Sequence, residues 1–256
     1  MIHERAIVNP AAVLAHDVEV GPFSVIEEGV EIGEGTVIGP HVVISGPTKI
    51  GKRNKIFQFS SIGAAPQDKK YDNEPTELII GDDNTIRENV TLNRGTTQGG
   101  GVTKIGSRNW IMAYVHLAHD CIVGNDTVLA NGTTLAGHVT IDDFAILGGF
   151  TLIHQFCQIG AYSFTAFSTG IKQDVPPYVM VSGHAGSPHG LNIEGLRRHG
   201  FDKDQIRNIK KCYKLLYKSG MKLDVAKQEI KAIAKDCPEI KILTEFLDKS
   251  TRSIVR

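Results

Sequence analysis

An aliphatic side chain recurs at every sixth position over the first 62 residues. Eleven such positions in a row carry isoleucine, leucine or valine: Ile2, Val8, Leu14, Val20, Ile26, Ile32, Ile38, Ile44, Ile50, Ile56 and Ile62. The series resumes at residues 80, 86 and 92 and, shifted by one residue, runs from 105 to 159. Chance does not produce a run of this length. This internal repeat constrains the fold more than any other feature of the chain.

The spacing of six matches neither the helical period of 3.6 nor the plain alternation of a strand. It fits a short strand and a turn, which together form one flat face of a prism. Three such hexads make a coil of 18 residues, and successive coils stack about 4.8 Å apart through parallel strand pairing. Glycine follows many of the aliphatic positions and lets the backbone bend there. The sequence therefore predicts an all-β parallel β-helix with a continuous aliphatic core.

Two segments interrupt the repeat. Residues 63–79 are polar and contain proline, but the phase survives because residues 62 and 80 lie 18 positions apart. Residues 92 and 105 lie 13 apart, which leaves an excess of seven residues around the glycine-rich stretch 98–104. Long loops that interrupt a regular solenoid are usually functional. We expect both loop insertions to border a site.

The period becomes helical near residue 191. Asp202 and Gln205 have the spacing of a capping box, and Gly220 follows the apolar stripe that begins after them. Residues 223–237 and 238–250 are expected to form further helices. We predict a β-helix over residues 1–190 and a C-terminal helical domain over 191–256, which also caps one end of the solenoid.

The formal net charge is zero, but it is unevenly distributed. Residues 191–256 contain 16 Lys+Arg and 9 Asp+Glu, a net charge of +7. The helical domain is therefore expected to receive an anionic partner, although a solvated helical surface explains the same pattern. The four cysteines are far apart, no N-terminal export signal is visible, and no apolar run is long enough to span a membrane. We expect a cytoplasmic protein without a nucleic-acid partner.

Histidines cluster on one predicted face. Grouping the hexads in threes places positions 92, 117, 135 and 153 on the same face, and His119, His138 and His154 belong to the last three of these hexads. The register assigns His119 to this strand face and His116 to the corner before it. Partly exposed polar side chains on turns, without a functional role, would also explain such a cluster.

Three chemistries compete for this face. A zinc site could use three histidines, but His116 and His119 are not expected to point the same way. Covalent catalysis could use Cys121, although no nucleophile turn surrounds it. General-base catalysis needs one histidine and a partner for its second nitrogen, for which Asp120 or a backbone carbonyl is a candidate. Attack of a hydroxyl group on an activated acyl group fits the last chemistry best.

An ordered set of motifs resembles the UDP-N-acetylglucosamine acyltransferases that begin lipid A biosynthesis. The motifs are I-R-E-N-V-T-L-N-R-G-T at 86–96, H-L-A-H-D-C at 116–121, L-A-G-H-V at 135–139, H-Q-F-C at 154–157, Q-D-V-P-P-Y at 173–178, N-I-E-G-L-R-R-H-G-F at 192–201 and S-T-R-S-I-V-R at 250–256. The resemblance implies a left-handed β-helix, an exception to the right-handed crossover rule. It also implies a homotrimer with active sites between subunits. The implied reaction moves an (R)-3-hydroxyacyl group from acyl carrier protein to the glucosamine 3-hydroxyl of UDP-GlcNAc, without metal or cofactor.

The resemblance also assigns roles. His119 is the general base, Asp120 orients it, and the N–H of Gly137 stabilises the oxyanion. The residues implied to bind substrate are His116, His138, His154, Gln155, Asp68, Lys70, Asn192, Glu194 and Arg198. The acidic acyl carrier protein is the partner implied for the basic helical domain.

Two positions depart from the family pattern. Asn93 stands where the family usually has histidine, so a charge at that contact is absent. Phe167 occupies the position of the acyl-chain ruler and predicts a shorter acyl chain than a glycine at that position would admit.

Three alternative functions remain. One is an acyltransferase for a related 3-amino UDP-sugar, with Asp68 and its loop governing the choice of acceptor. The others are a metal-dependent hydratase and an inert structural solenoid.

Overall fold

Three parallel β-sheets form the walls of a prism in the computed structural model, which describes all 256 residues. The first sheet contains β1 (Ile7–Val8), β4 (Val25–Ile26), β7 (Val43–Ile44), β10 (Ser61–Ala64), β13 (Thr91–Asn93), β16 (His116–Leu117), β19 (Thr134–Leu135), β22 (Leu152–Ile153) and β25 (Gly170–Ile171). The second contains β2 (Val13–Leu14), β5 (Val30–Ile32), β8 (Thr48–Ile50), β11 (Glu77–Ile80), β14 (Val102–Ile105), β17 (Ile122–Val123), β20 (Thr140–Ile141) and β23 (Gln158–Ile159). The third contains β3 (Glu19–Val20), β6 (Val37–Ile38), β9 (Lys55–Ile56), β12 (Thr85–Ile86), β15 (Trp110–Ile111), β18 (Val128–Leu129), β21 (Ile146–Leu147), β24 (Phe164–Thr165), β26 (Val179–Ser182) and β27 (Ser187–Leu191).

Each regular strand pairs with the strand one coil further along, and β27 alone pairs antiparallel, with β26. Leu92, Leu117, Leu135 and Ile153 are consecutive partners in the first sheet, as the hexad grouping predicts. Their side chains belong to a core cluster of 36 buried residues that fills the prism. The β-helix and the helical region that follows it confirm the predicted fold class.

The first coil is less buried than the hexad pattern predicts. Ile2 is 51% exposed and forms only an isolated bridge with Val20, while Val8 and Leu14 are half-buried. No coil lies below them, so their aliphatic side chains have a packing partner on one side alone. The N-terminal end of the solenoid is therefore open.

The corners that join the sheets organise the surface. We call the connection from the first sheet to the second the first corner, from the second to the third the second corner, and from the third to the first the third corner. The first corner contains the loops 65–76 and 94–101 and the turns after β16, β19 and β22. Asp120, His138 and Phe156 occupy these three turns in the left-handed conformation, with φ of 60°, 61° and 68°. Both predicted loop insertions and the histidine cluster thus lie on one edge of the prism.

Helices follow β27. They are α1 (Ile193–Arg198), α2 (Lys203–Tyr217), α3 (Leu223–Ala234) and α4 (Lys241–Lys249), with short 3₁₀ turns at Thr97–Gly99 and Pro238–Ile240. The predicted capping box is present, since Asp202 accepts from the N–H of Gln205 and the Gln205 side chain accepts from the N–H of Asp202. The helix predicted over 223–237 ends earlier, and the one predicted over 238–250 begins as a 3₁₀ turn at Pro238.

The C-terminal tail returns to the β-helix. Ile254 bridges to Asp174, and Val255 joins the core cluster of the prism. Asp174 also accepts a hydrogen bond from Ser250 Oγ at 2.6 Å. These contacts cover the C-terminal end of the solenoid. The domain boundary at residue 190 stays a prediction. None of the helices has both the length and the hydrophobicity that a membrane crossing requires.

Candidate active site

His119 and Asp120 contact each other at the first corner, directly after β16. His119 Nδ1 lies 2.8 Å from Asp120 Oδ2. The two neighbours converge because they occupy a turn, where the left-handed backbone of Asp120 redirects its side chain. The prediction from the hexad register was wrong in detail: His116 begins strand β16, and His119 lies in the corner turn. The inward aliphatic residue ends each two-residue strand, so residues after it belong to the corner.

Asp120 is held from the other side by Thr96. The backbone N–H of Thr96 donates to Asp120 Oδ1 at 2.8 Å, and Thr96 Oγ1 donates to Oδ2 at 2.7 Å. Asp120 is only 5% exposed, and its own N–H donates to Thr103 Oγ1 at 2.8 Å. The carboxylate thus engages Nδ1 of His119 and leaves Nε2 as the nitrogen that can take a proton.

Gly137 lies one coil above His119. A Cβ at this position would be 2.6 Å from Cε1 and 2.8 Å from Nε2 of His119, so only glycine admits the ring. The Gly137 N–H has no acceptor within the chain, while the next N–H, of His138, donates to the His119 carbonyl at 3.0 Å. A free N–H beside Nε2 can stabilise negative charge on a reacting carbonyl oxygen.

His138 and His116 flank this pair. The His138 ring stacks on Phe156 at 4.5 Å, meets the His119 ring edge-on at 5.1 Å, and has Nε2 3.7 Å from Asp120 Oδ2. His116 Nδ1 lies 2.7 Å from Thr91 Oγ1 on the preceding strand. Burial lowers the pKa of His116, and also that of His138 although Asp120 opposes the effect. Both imidazoles are therefore neutral hydrogen-bonding groups near pH 7.

The loop 65–76 carries Asp68 and Lys70 toward the same edge. The Lys70 N–H donates to Asp68 Oδ1 at 3.0 Å, and the Asp68 charge reaches His138, whose pKa it raises in part. His154 and Gln155 lie at the first corner above Gly137, with His154 exposed and its Nδ1 3.0 Å from the Gln155 carbonyl oxygen. The first corner thus brings together most of the predicted site residues.

Asn93 and Arg94, one coil above, anchor the loop 65–76. Asn93 is 4% exposed, and its Nδ2 donates to the carbonyls of Ala65 at 2.8 Å and Ala64 at 3.3 Å. Its Oδ1 is buried without a partner. The Arg94 guanidinium donates to the carbonyls of Gly46 and Gly63 and to Tyr71 Oη in the loop. Asn93 is thus a neutral anchor for the loop 65–76.

Four predicted residues lie away from this corner. Asn192 caps α1 by accepting from the Gly195 N–H at 3.1 Å, and Glu194 lies 3.6 Å from Arg198 one helical turn later. Phe167 lies at the third corner, 70% exposed, with its ring edge-on to Phe150 at 5.8 Å. No hydrogen bond or ion pair joins these four residues to the His119 corner within one chain.

The positions of these side chains distinguish covalent catalysis, metal binding and general-base catalysis, the three chemistries that the sequence left open. The Cys121 thiol is fully buried, contacts the Ala136 carbonyl at 3.2 Å, and has its pKa raised to about 12 by burial. A thiol with such a pKa is a poor nucleophile at neutral pH. Donor atoms of His119, Asp120 and His138 lie within 4.8 Å of one another and could approach a metal. Both Asp120 oxygens already accept hydrogen bonds, so the arrangement suits proton transfer better than metal binding.

Known proteins with similar sequences and the same architecture identify the family. A family model described as UDP N-acetylglucosamine O-acyltransferase, domain 2, matches residues 174–255, and the bacterial transferase hexapeptide repeat matches residues 12–46 and 103–137. The acyl-[acyl-carrier-protein]–UDP-N-acetylglucosamine O-acyltransferase of Alkalilimnicola ehrlichii is 55% identical over 255 residues, which cover 100% of this chain and 99% of that relative. The chain belongs to the UDP-N-acetylglucosamine O-acyltransferase family. It is therefore an acyltransferase, as the motifs predict.

Other members of the family agree over the full length. The enzyme of the same name from Neisseria gonorrhoeae is 54% identical, with 100% of this chain and 99% of the relative covered. The UDP-N-acetylglucosamine acyltransferase structure from Francisella novicida superposes with a TM-score of 0.99 at 42% identity, covering 100% of this chain and 94% of that one. The Acinetobacter baumannii LpxA structure gives 0.97 at 47% identity, with 100% and 99% covered. The motif resemblance is thus confirmed.

The sequence reasoning missed Thr96 and Arg94. Both belong to the stretch N-R-G-T that immediately precedes the glycine-rich loop, and that position was the available signal. Their contacts reach 24 and 48 residues along the chain, to Asp120 and to Gly46. Only the stacking of coils brings such distant partners together.

Proposed function

We propose that the chain transfers an (R)-3-hydroxyacyl group from acyl carrier protein to the glucosamine 3-hydroxyl of UDP-GlcNAc, the first step of lipid A biosynthesis. The acyl donor and the sugar acceptor are those in the names of its relatives. The observation that carries the mechanism is the stack of Asp120, His119 and the Gly137 N–H at one corner. This stack supplies a base, a group that orients it and an oxyanion donor in one place.

The reaction proceeds by direct attack. His119 Nε2 takes the proton of the sugar hydroxyl as its oxygen attacks the thioester carbonyl carbon. The negative charge on the carbonyl oxygen is stabilised by the Gly137 N–H. Collapse of this intermediate breaks the carbon–sulfur bond, and the protonated His119 returns its proton to the departing thiolate. Asp120 stabilises the imidazolium and fixes Nδ1 as the protonated nitrogen in the free enzyme.

The surrounding residues hold the substrates. Neutral His116 and His138 suit hydrogen bonding to sugar hydroxyl and acyl groups, because burial lowers the pKa of each. His154, Gln155, Asp68 and Lys70 border the same edge. No acyl-enzyme, metal or other cofactor takes part, and the carrier protein thioester is a co-substrate.

The active site is completed by a second subunit of a homotrimer. Asn192, Glu194 and Arg198, the proposed nucleotide contacts, lie on and before α1, and the proposed ruler Phe167 lies at the third corner. Assembly places these surfaces of one subunit against the first corner of the next. Acyl carrier protein docks on the exposed lysines of α2 and its C-cap, which are Lys203, Lys210, Lys211, Lys214 and Lys218. We expect this assembly in the cytoplasm.

The decisive experiment compares wild type with His119→Ala on a series of hydroxyacyl carrier proteins. We expect turnover with UDP-GlcNAc to fall by about 10²-fold or more in the variant. His16→Ala, an exposed histidine near the N-terminus, is the matched control and keeps wild-type activity. Near wild-type turnover of His119→Ala would contradict the general-base assignment.

The same assay separates the remaining functions. A 3-amino UDP-sugar offered in place of UDP-GlcNAc tests the alternative acceptor, and a higher kcat/KM for it would assign the chain to N-acylation. Dialysis against EDTA leaves the rate unchanged if attack is direct. Loss of activity on dialysis and recovery with zinc would instead indicate metal-assisted chemistry at His119, Asp120 and His138.

A further inference from the structure

Thr96 makes a two-point contact with the Asp120 carboxylate. One bond comes from its backbone N–H to Oδ1 at 2.8 Å and the other from its hydroxyl to Oδ2 at 2.7 Å. Oδ2 is also the oxygen that meets His119 Nδ1, at 2.8 Å. The Thr96 hydroxyl and the His119 imidazole therefore contact the same carboxylate oxygen. Thr96 and Asp120 are each 5% exposed.

The loop 94–101 is folded to keep Thr96 in this position. The Thr96 carbonyl accepts from the N–H groups of Gly99 at 3.0 Å and Gly101 at 2.8 Å, which closes the loop on itself. Gly99 lies against the Asp120 carboxylate so closely that a Cβ there would overlap it. The glycine-rich loop thus covers the carboxylate and excludes water from its outer side.

We propose that Thr96 is a positioning residue for the general base, acting through Asp120. It rests on the proposed function, because it concerns how His119 becomes competent to take a proton. The two bonds from Thr96 fix the rotation of the carboxylate, which then holds Nδ1 and aims Nε2 at the acceptor hydroxyl. A carboxylate turned away from Nδ1 stabilises the imidazolium less and leaves the ring free to rotate. Thr96 contacts neither substrate in this scheme.

A buried threonine elsewhere in the fold provides a matched control. Thr127 is fully buried and also donates twice to one side chain, since its N–H at 2.8 Å and its hydroxyl at 2.7 Å both contact Asn109 Oδ1. This contact lies at the second corner and involves no charged group. Thr127→Val therefore removes an equivalent buried hydroxyl without touching the base.

The test measures kcat, KM and the pH profile of kcat/KM for Thr96→Val, Thr96→Ser and Thr127→Val. We expect Thr96→Val to lower kcat by about tenfold or more with KM for UDP-GlcNAc little changed, as when other carboxylates that orient histidines lose their support. The acid limb of the profile moves to lower pH, because the released carboxylate no longer stabilises the imidazolium. Thr96→Ser restores the hydroxyl and remains within about threefold of wild type. Thr127→Val lowers Tm but changes neither kcat nor the profile.

A smaller fall in kcat for Thr96→Val, or an acid limb that stays in place or moves to higher pH, would overturn the proposal. If the valine variant does not fold, Thr96→Ala is measured in its place against the same limits. An inactive His119→Ala beside a fully active Thr96→Val would reject the role of Thr96 and leave the proposed function intact. An active His119→Ala would reject the general base itself, whatever Thr96 does.

Discussion

The His119 ring packs against the Cα of Gly137, the residue 18 positions later and one coil above. A Cβ at Gly137 would stand 2.6 Å from His119 Cε1, closer than nonbonded carbon atoms approach. Gly137→Ala is therefore expected to displace the imidazole and to lower kcat by about 10²-fold, the usual effect of disturbing an oxyanion site. Steady-state kinetics and Tm measured together show whether the loss occurs in a folded protein.

Gly149→Ala is the control for this substitution. Gly149 is also a turn glycine, but the nearest atom to its Cβ position is the Asn131 carbonyl oxygen at 3.4 Å. We expect this variant to keep its activity. Equal activity of the two alanine variants would show that the contact between Gly137 and His119 is not needed for catalysis.

Asn93→Leu tests the anchor of the loop 65–76. The leucine keeps the volume but removes the two hydrogen bonds to Ala64 and Ala65, so the loop that carries Asp68 and Lys70 loosens. The loss of a buried hydrogen bond costs about 1–3 kcal/mol, and about 1.4 kcal/mol is a tenfold change in an equilibrium constant. We therefore expect KM for UDP-GlcNAc to increase about tenfold, with a smaller change in kcat. Initial rates over a range of UDP-GlcNAc concentrations measure both parameters.

Asn84→Leu separates an effect on this loop from a general loss of stability. Asn84 is 1% exposed and lies in a ladder at the second corner, where its N–H and Nδ2 both donate to Asn54 Oδ1. We expect a lower Tm and an unchanged KM. A rise in KM for Asn84→Leu as large as that for Asn93→Leu would contradict the anchoring role.

Phe167→Gly tests the acyl-chain ruler. Removing an exposed ring at the third corner lengthens the space available to the acyl chain, so the preferred donor becomes longer. Discrimination between donors that differ by one methylene group is expected to change by about tenfold, the usual effect of one such group in an apolar pocket. The measurement is kcat/KM across a series of hydroxyacyl carrier proteins. Phe23→Gly, at the same corner near the N-terminus, leaves the preference unchanged; a shift there would reject Phe167 as the ruler.

Stability is expected to fall as the pH drops below about 6.5. Burial lowers the folded-state pKa of His116 and His138 below the value of 6.5, so the unfolded chain binds protons that the folded chain does not. The stability lost in this window is fully present above pH 7, and the loss stops below the folded pKa values. We expect the difference in Tm between pH 7.5 and 5.5 to shrink in the double variant His116→Gln/His138→Asn, since asparagine tolerates the left-handed backbone at 138. The exposed His16→Gln keeps the full difference, and equal differences in all three proteins would contradict the prediction.

The sequence predicts the regular part of this molecule well because its rules are local. One inward aliphatic residue in each hexad is enough to define the strands, the three sheets and the register between coils. The capping box of α2 follows from two residues three apart. Ile2 departs from the pattern because its side chain packs against a coil on one side only.

The detail of the site depends on backbone conformation that the hexad pattern does not contain. Adjacent side chains point apart on a strand, so a strand through residues 119–120 would separate His119 from Asp120. The left-handed turn at Asp120 reverses that expectation. Thr96 meets Asp120 only after the loop 94–101 closes, and no local period predicts where an irregular loop places its residues.

The open N-terminal coil is where local unfolding of the solenoid is expected to begin. Ile2, Val8 and Leu14 pack on one side only, whereas Val255 seals the opposite end. In a stack whose units contact only their neighbours, opening begins where a neighbour is missing and must proceed coil by coil. Amide exchange should therefore form a gradient, fastest in β1 to β3 and slower toward the helices. Five strands of the first sheet precede β16. Reversible fraying of the N-terminal coils therefore leaves His119 in place.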